Sequence, residues 1–419
     1  MIHSTHYIRL KMLLGMVLAA ATLTLAAHAS LAAEKSQQIS RAIAKEMTAA
    51  QKALQASQWQ EALKNLDAAE QKSGLTAFDK KTIYDFKGFA NVRLNRLKDA
   101  EQDFEQALAT GQYTPEESAK TTRTLFRLAA QNQQYSKALE YGKQVADSGQ
   151  ASGDDLVLMS QLYYLQKDCK NSVAWADKAI ASARKAGEAP KENLYQFKLQ
   201  CASDAGDNPA MAAVLIDLIK LTNKTNYWNT LLRIERQDER DDHNLLMVYR
   251  IMYDTNSMNA GSDYMEMAQL LGDAALPGEA ASVLDKAMAA GVLNDQKDRA
   301  TRLLNSLRTR ADADKKDEAK FDAEAAKNPA GELDVKVGEV YYGAGDYQGA
   351  VTAITRGIQK SQIKHLDEAY VYLGRAQVAL KNIPDAKKAF GTLKTVPNIS
   401  PRVLKLWELY SDKLGTPAA

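Results

Sequence analysis

Histidine is scarce in this chain. There are five in 419 residues, and only His243 and His365 lie beyond residue 28. No His-Glu-x-x-His pair is present, which excludes the zinc-protease helix. A Gly-x-Ser-x-Gly elbow and a Gly-rich loop ending in Gly-Lys-Ser/Thr are also missing, so the usual hydrolase and phosphate-cradle signatures are absent. Alternating Val/Ile/Thr runs bounded by turn dipeptides do not occur, which argues against a fold built from strands. An excess of one charge is lacking as well: 54 basic residues face 52 acidic ones, and removal of Arg9 and Lys11 makes them equal. A chain without net charge has no global field to draw in DNA or RNA. No catalytic, cofactor-binding or metal-ligating set is assigned.

Only the N-terminus carries a long apolar run. Arg9 and Lys11 precede Met12 to Ala27, followed by Ala27-His28-Ala29 and then by Ser30-Leu31-Ala32. Basic residues, an apolar stretch and a small-x-small site form an export signal. Residues 1–29 are therefore expected to be removed after Ala29 or Ala32. The run is short and alanine-rich for a membrane span, and the mature chain is expected to be periplasmic, with no integral membrane segment.

What recurs is a short phrase in which a small residue sits three positions after an aromatic or apolar one, just beyond a polar break. It appears at Trp59/Ala62, Leu97/Ala100, Tyr135/Ala138, Cys169/Ser172, Pro277/Ala280, Tyr347/Ala350 and Ile383/Ala386. With Met211 and Leu246 in the same slot, the steps run from 34 to 39 residues, with one double step of 70. Such a period belongs to stacked helix pairs. Pro209, Pro277 and Pro384 fall in the first turn of predicted second helices, where a missing N–H is harmless.

The units resemble tetratricopeptide repeats. Leu373-Gly374, Ala386, Phe390 and Leu393 fit that pattern best, followed by Gly88, Ala100, Phe104 and Ala107, then by Val337-Gly338, Tyr341 and Ala350. The resemblance implies an all-α, right-handed superhelical solenoid of about ten helix pairs. Small residues at Gly88, Ser160, Ala268, Gly338 and Gly374 would let helices approach closely while Phe104, Leu284 and Phe390 fill the gaps. The expected organisation is repeats over 30–294, a degenerate helical segment over 295–330, two further repeats over 331–396, and a capping helix and tail over 397–419. In this register Cys169 and Cys201 reach one edge of neighbouring units, so a disulfide is expected in an oxidising compartment.

The resemblance also implies a non-catalytic scaffold that binds proteins along its concave side. Transferring the family's inner-face positions selects Arg93, Arg123, Arg127, Gln161, Tyr164, Trp228, Tyr342 and Arg375 as partner-binding residues. Arginines and aromatics are common anchors at interfaces. The array is similar to exported repeat proteins of envelope complexes, including those accompanying TonB-type energy transducers. The alternative is a carbohydrate- or peptidoglycan-associated module supporting polysaccharide secretion, with Trp228 and tyrosines stacking on sugars. The cluster Asp238, Glu239, Asp241, Asp242 and His243 reads as a solvated turn, with Arg233 and Arg236 pairing to carboxylates of the next unit.

Overall fold

A computed structural model describes residues 38–416, and every regular element among them is helical. The expected signal segment lies outside the described residues. Among the described residues twenty helices follow in tandem, as nine consecutive pairs plus two single helices. In eight of the nine pairs, a residue with left-handed backbone stands two positions before the second helix. These are Ser57, Asn95, Gln133, Lys167, Gly206, Ala275, Gly345 and Lys381, with φ between 58 and 84°. One such residue ends the first helix and reverses the chain. This is the structural content of the polar break in the repeated phrase.

The chain divides into two compact units, each with its own internal packing. The first covers residues up to Asn95 and Gln106–Gln112. It contains α1 (Ala44–Gln55), α2 (Trp59–Glu70) and α3 (Ala77–Arg93). Ile43, Met47, Ala50, Leu66, Ala69 and Ile83 form its core. Thr76 caps α3 through a reciprocal box with Asp79, which satisfies donors that a helix start leaves free. α4 (Leu97–Ala109) is divided between the units.

The second unit continues with α5 (Pro115–Gln131), α6 (Tyr135–Asp147), α7 (Gly153–Leu165), α8 (Cys169–Lys185), α9 (Glu192–Asp204) and α10 (Asn208–Thr222). Next come α11 (Thr225–Asp238), α12 (Asp242–Asp254), α13 (Gly261–Asp273), α14 (Pro277–Ala289) and the single α15 (Lys297–Lys327). The unit ends with α16 (Glu332–Gly343), α17 (Tyr347–Lys360), α18 (Leu366–Ala379), α19 (Ile383–Thr392) and the single α20 (Pro401–Lys413). Partners within a pair meet at small residues. Ser160 and Ser172 donate their hydroxyls to each other's carbonyls at 2.9 and 3.0 Å. At Gly374 an added Cβ would stand 2.4 Å from the Phe390 ring, so the close approach of α18 and α19 requires glycine. Cys169 and Cys201 are joined by a disulfide between α8 and α9, with Cα atoms 5.5 Å apart.

Contacts in this unit are not confined to neighbours. α20 packs on α19 and also on α12 and α10, and α14 packs directly on α16. Trp407 is fully buried and stacks on Phe390 at 5.0 Å. α15 occupies the place where the repeat blurs in sequence, and its middle is poorly covered: no residue between Leu307 and Ala325 is buried. α14 and α16 instead touch through Gly278 and Gly343, where an added Cβ on either would lie 3.0 Å from the other's backbone region.

Candidate functional site

The inner-face residues selected from the repeat register scatter into different environments. Arg93 is exposed and lies over the Trp59 ring at 5.1 Å. Arg123 and Arg127 of α5 both bind Asp155 of α7, at 2.9 and 3.0 Å, and so brace adjacent pairs. Gln161 is half-buried. Tyr164 stacks on Phe197 at 5.0 Å, filling a gap between helices. Arg236 reaches Asp263 at 2.6 Å, as expected for pairing with the next unit.

Two of the selected residues, Trp228 and Arg375, are interior and do not face a partner as the register implied. Trp228 is only 3 % exposed, and its indole N–H donates to Asn223 at 3.1 Å. Asn223 in turn donates to the Thr416 carbonyl at 3.2 Å, just past α20. A buried indole cannot stack on an incoming sugar, so Trp228 gives no support to the carbohydrate-facing alternative. Arg375, also 3 % exposed, makes two bonds to Asp254, at 2.9 and 3.0 Å, and a further one to Glu279. Tyr342 packs edge-on against Tyr372 at 5.1 Å, with the Arg375 guanidinium over its ring at 5.1 Å. The register places these side chains on the inner face, but that face is covered by helices of the same chain.

Arg375 belongs to a buried network joining α12, α14 and α18. Arg250, fully buried, donates to Glu279 at 3.3 Å, to Glu368 at 3.1 Å and to the Tyr372 hydroxyl at 2.7 Å. Tyr372 donates to Glu279. Burial pushes the Glu279 carboxyl up, but the Arg250 and Arg375 guanidiniums outweigh it and hold the group at about 2. Such a network is costly to break because removing one partner strands a buried charge.

An open cleft lies beneath the middle of α15. It has a volume of about 460 Å³ and is bounded by the start of α14, by α15 and by α16. It forms because α14 and α16 meet through Gly278 and Gly343, while Ala311, Asp312 and Lys315 on α15 are too small or too polar to fill the gap. Phe321 and Leu333, two of the five large apolar side chains that are exposed among the described residues, lie on its walls. Five carboxylates (Asp312, Asp314, Glu318, Glu324 and Glu339) face two lysines, Lys315 and Lys336. Burial raises Asp314 above its ordinary value, and burial together with nearby Asp346 and Asp322 raises Glu318. Burial also pushes Glu339 up to about 7, with Lys336 at 2.8 Å pulling against it and Glu368 adding to the rise.

No protein-family model matches this sequence, and no curated protein does. Among solved structures it is similar to a tetratricopeptide repeat protein from Parabacteroides merdae, 11% identical over 88% of this chain and 99% of that one, with a TM-score of 0.34. It is also similar to the C-terminal part of a TPR repeat-containing protein from Cytophaga hutchinsonii, 11% identical over 62% and 93%, TM-score 0.35. A third is the TPR2AB domain of yeast Sti1 in a complex with pHSP90, 14% identical over 64% and 98%, TM-score 0.34. The assignment rests on the helices themselves, with their shared period, left-handed turns and small-residue contacts. The fold is of the tetratricopeptide-repeat type.

The cleft beneath α15 combines exposed apolar walls with an excess of carboxylates. The one hydroxyl among its lining residues, Ser282, donates to the Gly278 carbonyl at 3.1 Å, so no hydroxyl stands free beside a base as a nucleophile requires. Sequence reasoning missed the cleft because its walls come from a segment whose apolar stripe is weak. The exposed Phe321 within that polar run was the available signal.

Proposed function

We propose that the chain is a non-catalytic scaffold that holds other proteins, and that the α14–α16 cleft takes an amphipathic helical segment with a basic face. One observation carries this reading: an open trough with exposed Phe321 and Leu333 on its walls and, with protonated Glu339 left out, two more carboxylates than lysines. Apolar anchors in a groove with a polar rim are how helical segments are captured. The acidic excess selects the sign of the rim.

The setting we infer is the periplasm, with residues 1–29 removed on export and the partner a component of an envelope complex, a TonB-type energy transducer among the candidates. Support comes from Arg9 and Lys11 ahead of the Met12 to Ala27 run, and from the paired Cys169 and Cys201, since disulfides persist in oxidising compartments. N-terminal sequencing of the protein recovered from cells should begin at Ser30 or Ala33. A start at Met1 would remove the export reading.

The cleft is tested by fluorescence anisotropy with two labelled helical peptides sharing one leucine face, one carrying lysines on the other face and one carrying glutamates. The lysine peptide is expected to bind, and Phe321→Ser with Leu333→Ser to weaken it at least tenfold. Equal binding of both peptides, or no loss in the double variant, would count against the assignment.

A further inference from the structure

The only two histidines beyond residue 28 come together in the fold. His243 lies in the first turn of α12, and His365 is the residue that precedes α18. Their rings are 5.0 Å apart although 122 positions separate them. Asp367, in the first turn of α18, completes the group, with one oxygen 2.6 Å from His243 Nε2. One donor atom from each of the three residues lies within 4.8 Å of the others.

Two atoms of this group have nothing to bind. Asp367 is fully buried, and its Oδ1 has no hydrogen-bond partner. His365 Nδ1 is also buried and unpartnered. Unmet buried polar atoms cost free energy, and here two of them belong to the same three-residue group. Both histidines are only half-buried, which leaves a path from solvent. The backbones beneath are fixed by Arg250 and Arg375 of the network between α12 and α18, and by Ser400, whose N–H donates to Asn244 at 2.9 Å.

We propose that His243, His365 and Asp367 bind a divalent transition-metal ion of the zinc class. Two imidazoles and one carboxylate suit Zn²⁺ and its neighbours, whereas Mg²⁺ and Ca²⁺ take oxygen ligands. Around a tetrahedral Zn²⁺ the ligand atoms stand about 3.3 Å apart. The His243–Asp367 separation therefore has to open slightly and the His365 ring has to close in, both within side-chain rotation. Three protein ligands leave a further position for water or for a side chain of a bound partner. The ion would clasp α12 to α18, elements 124 residues apart at His243 and Asp367. Neither His365 nor Asp367 is near the Asp238–His243 run in sequence, so the site exists only in the folded chain.

The test is isothermal titration of Zn²⁺ into the protein as it accumulates in cells, purified without a histidine tag, together with thermal unfolding with and without the ion. One Zn²⁺ per chain at micromolar affinity or tighter, with a raised Tm, is expected, and Mg²⁺ should give neither. His365→Ala and the isosteric Asp367→Asn should each weaken Zn²⁺ binding at least tenfold. His365→Ala should leave the metal-free Tm in place, since Nδ1 makes no bond. Co²⁺ should give visible d–d bands that are lost in both variants. No saturable Zn²⁺ binding, binding unchanged in both variants, or Mg²⁺ binding of equal strength would overturn the assignment.

Discussion

Between α5 and α9, polar links between pairs span about one repeat: Arg127 reaches Asp155 across 28 residues, and Lys191 reaches Asp154 across 37. Between α10 and α20 one-repeat links such as Arg236–Asp263 are joined by others that span several. Arg250 meets Tyr372 across 122 residues, Arg402 meets Glu235 across 167, and Lys413 meets the Lys220 carbonyl across 193. The first stretch behaves as a repeat array should, with each pair leaning on the next. In the second, the same pairs wrap a common interior, and polar side chains that repeat logic assigns to a binding face are used internally. A one-dimensional pattern therefore specifies the pair but not which distant pair it will meet.

The comparison is broken most directly at Glu279. Glu279→Ala leaves Arg250 with Glu368 and Arg375 with Asp254 as their only carboxylates, an excess of buried positive charge, and is expected to cost about 3–5 kcal/mol in urea unfolding. Arg127→Ala in the first stretch should cost less than about 1 kcal/mol, because that side chain is half in solvent. Equal losses would erase the distinction between the two stretches. The first stretch has a covalent brace instead. Replacing Cys169 and Cys201 by serine frees a loop of 32 residues, and loss of about 3–4 kcal/mol is expected by denaturant titration.

A titration sharpens the same contrast. Glu279 is held at about 2, below its ordinary 4.5. Its contribution is therefore full above pH 4.5 and is lost as the pH falls toward 2. Glu339 has the opposite sign. Raised from 4.5 to about 7, it keeps its proton in the folded state, so its contribution is full below pH 4.5 and is lost as the pH rises through 7. Lys336, Glu368 and Arg250 are the charged groups acting on it. Stability from these two groups should peak near pH 4.5. Glu339→Gln should remove about 3 kcal/mol of pH dependence between 4.5 and 7 while leaving the acid limb, as read from unfolding midpoints across that range. A Glu339→Gln curve matching wild type would show that the carboxyl is not desolvated. The smallest effect concerns the turns: Lys381→Gly, at φ 62°, should raise stability by about 0.5–1 kcal/mol, visible as a higher Tm.

The helix pairs were legible because each carries local instructions. Pro115, Pro277 and Pro401 open helices, Thr76 and Thr114 cap them, and small residues mark where the partners touch. The 295–330 blur was legible as helix, and it is one 31-residue helix, since its Ala, Lys and Arg content favours helix without supplying a continuous apolar stripe. Which inner-face residues stay accessible was not legible. Trp228 and Arg375 sit at the expected register positions, and their burial depends on α20 and α12, which are far away in sequence.

The sequence by itself determined the helices, their turns and their period, because propensity, capping and close-contact residues act within a single repeat. Only the tertiary structure decided where α20 docks, which charges are sealed around Arg250, that a cleft opens beneath α15, and that His243 meets His365. Those outcomes depend on surfaces from different repeats, and all but the cleft bring together residues more than 90 positions apart. Their energies come from burial and from charge pairs that exist only after the repeats have stacked.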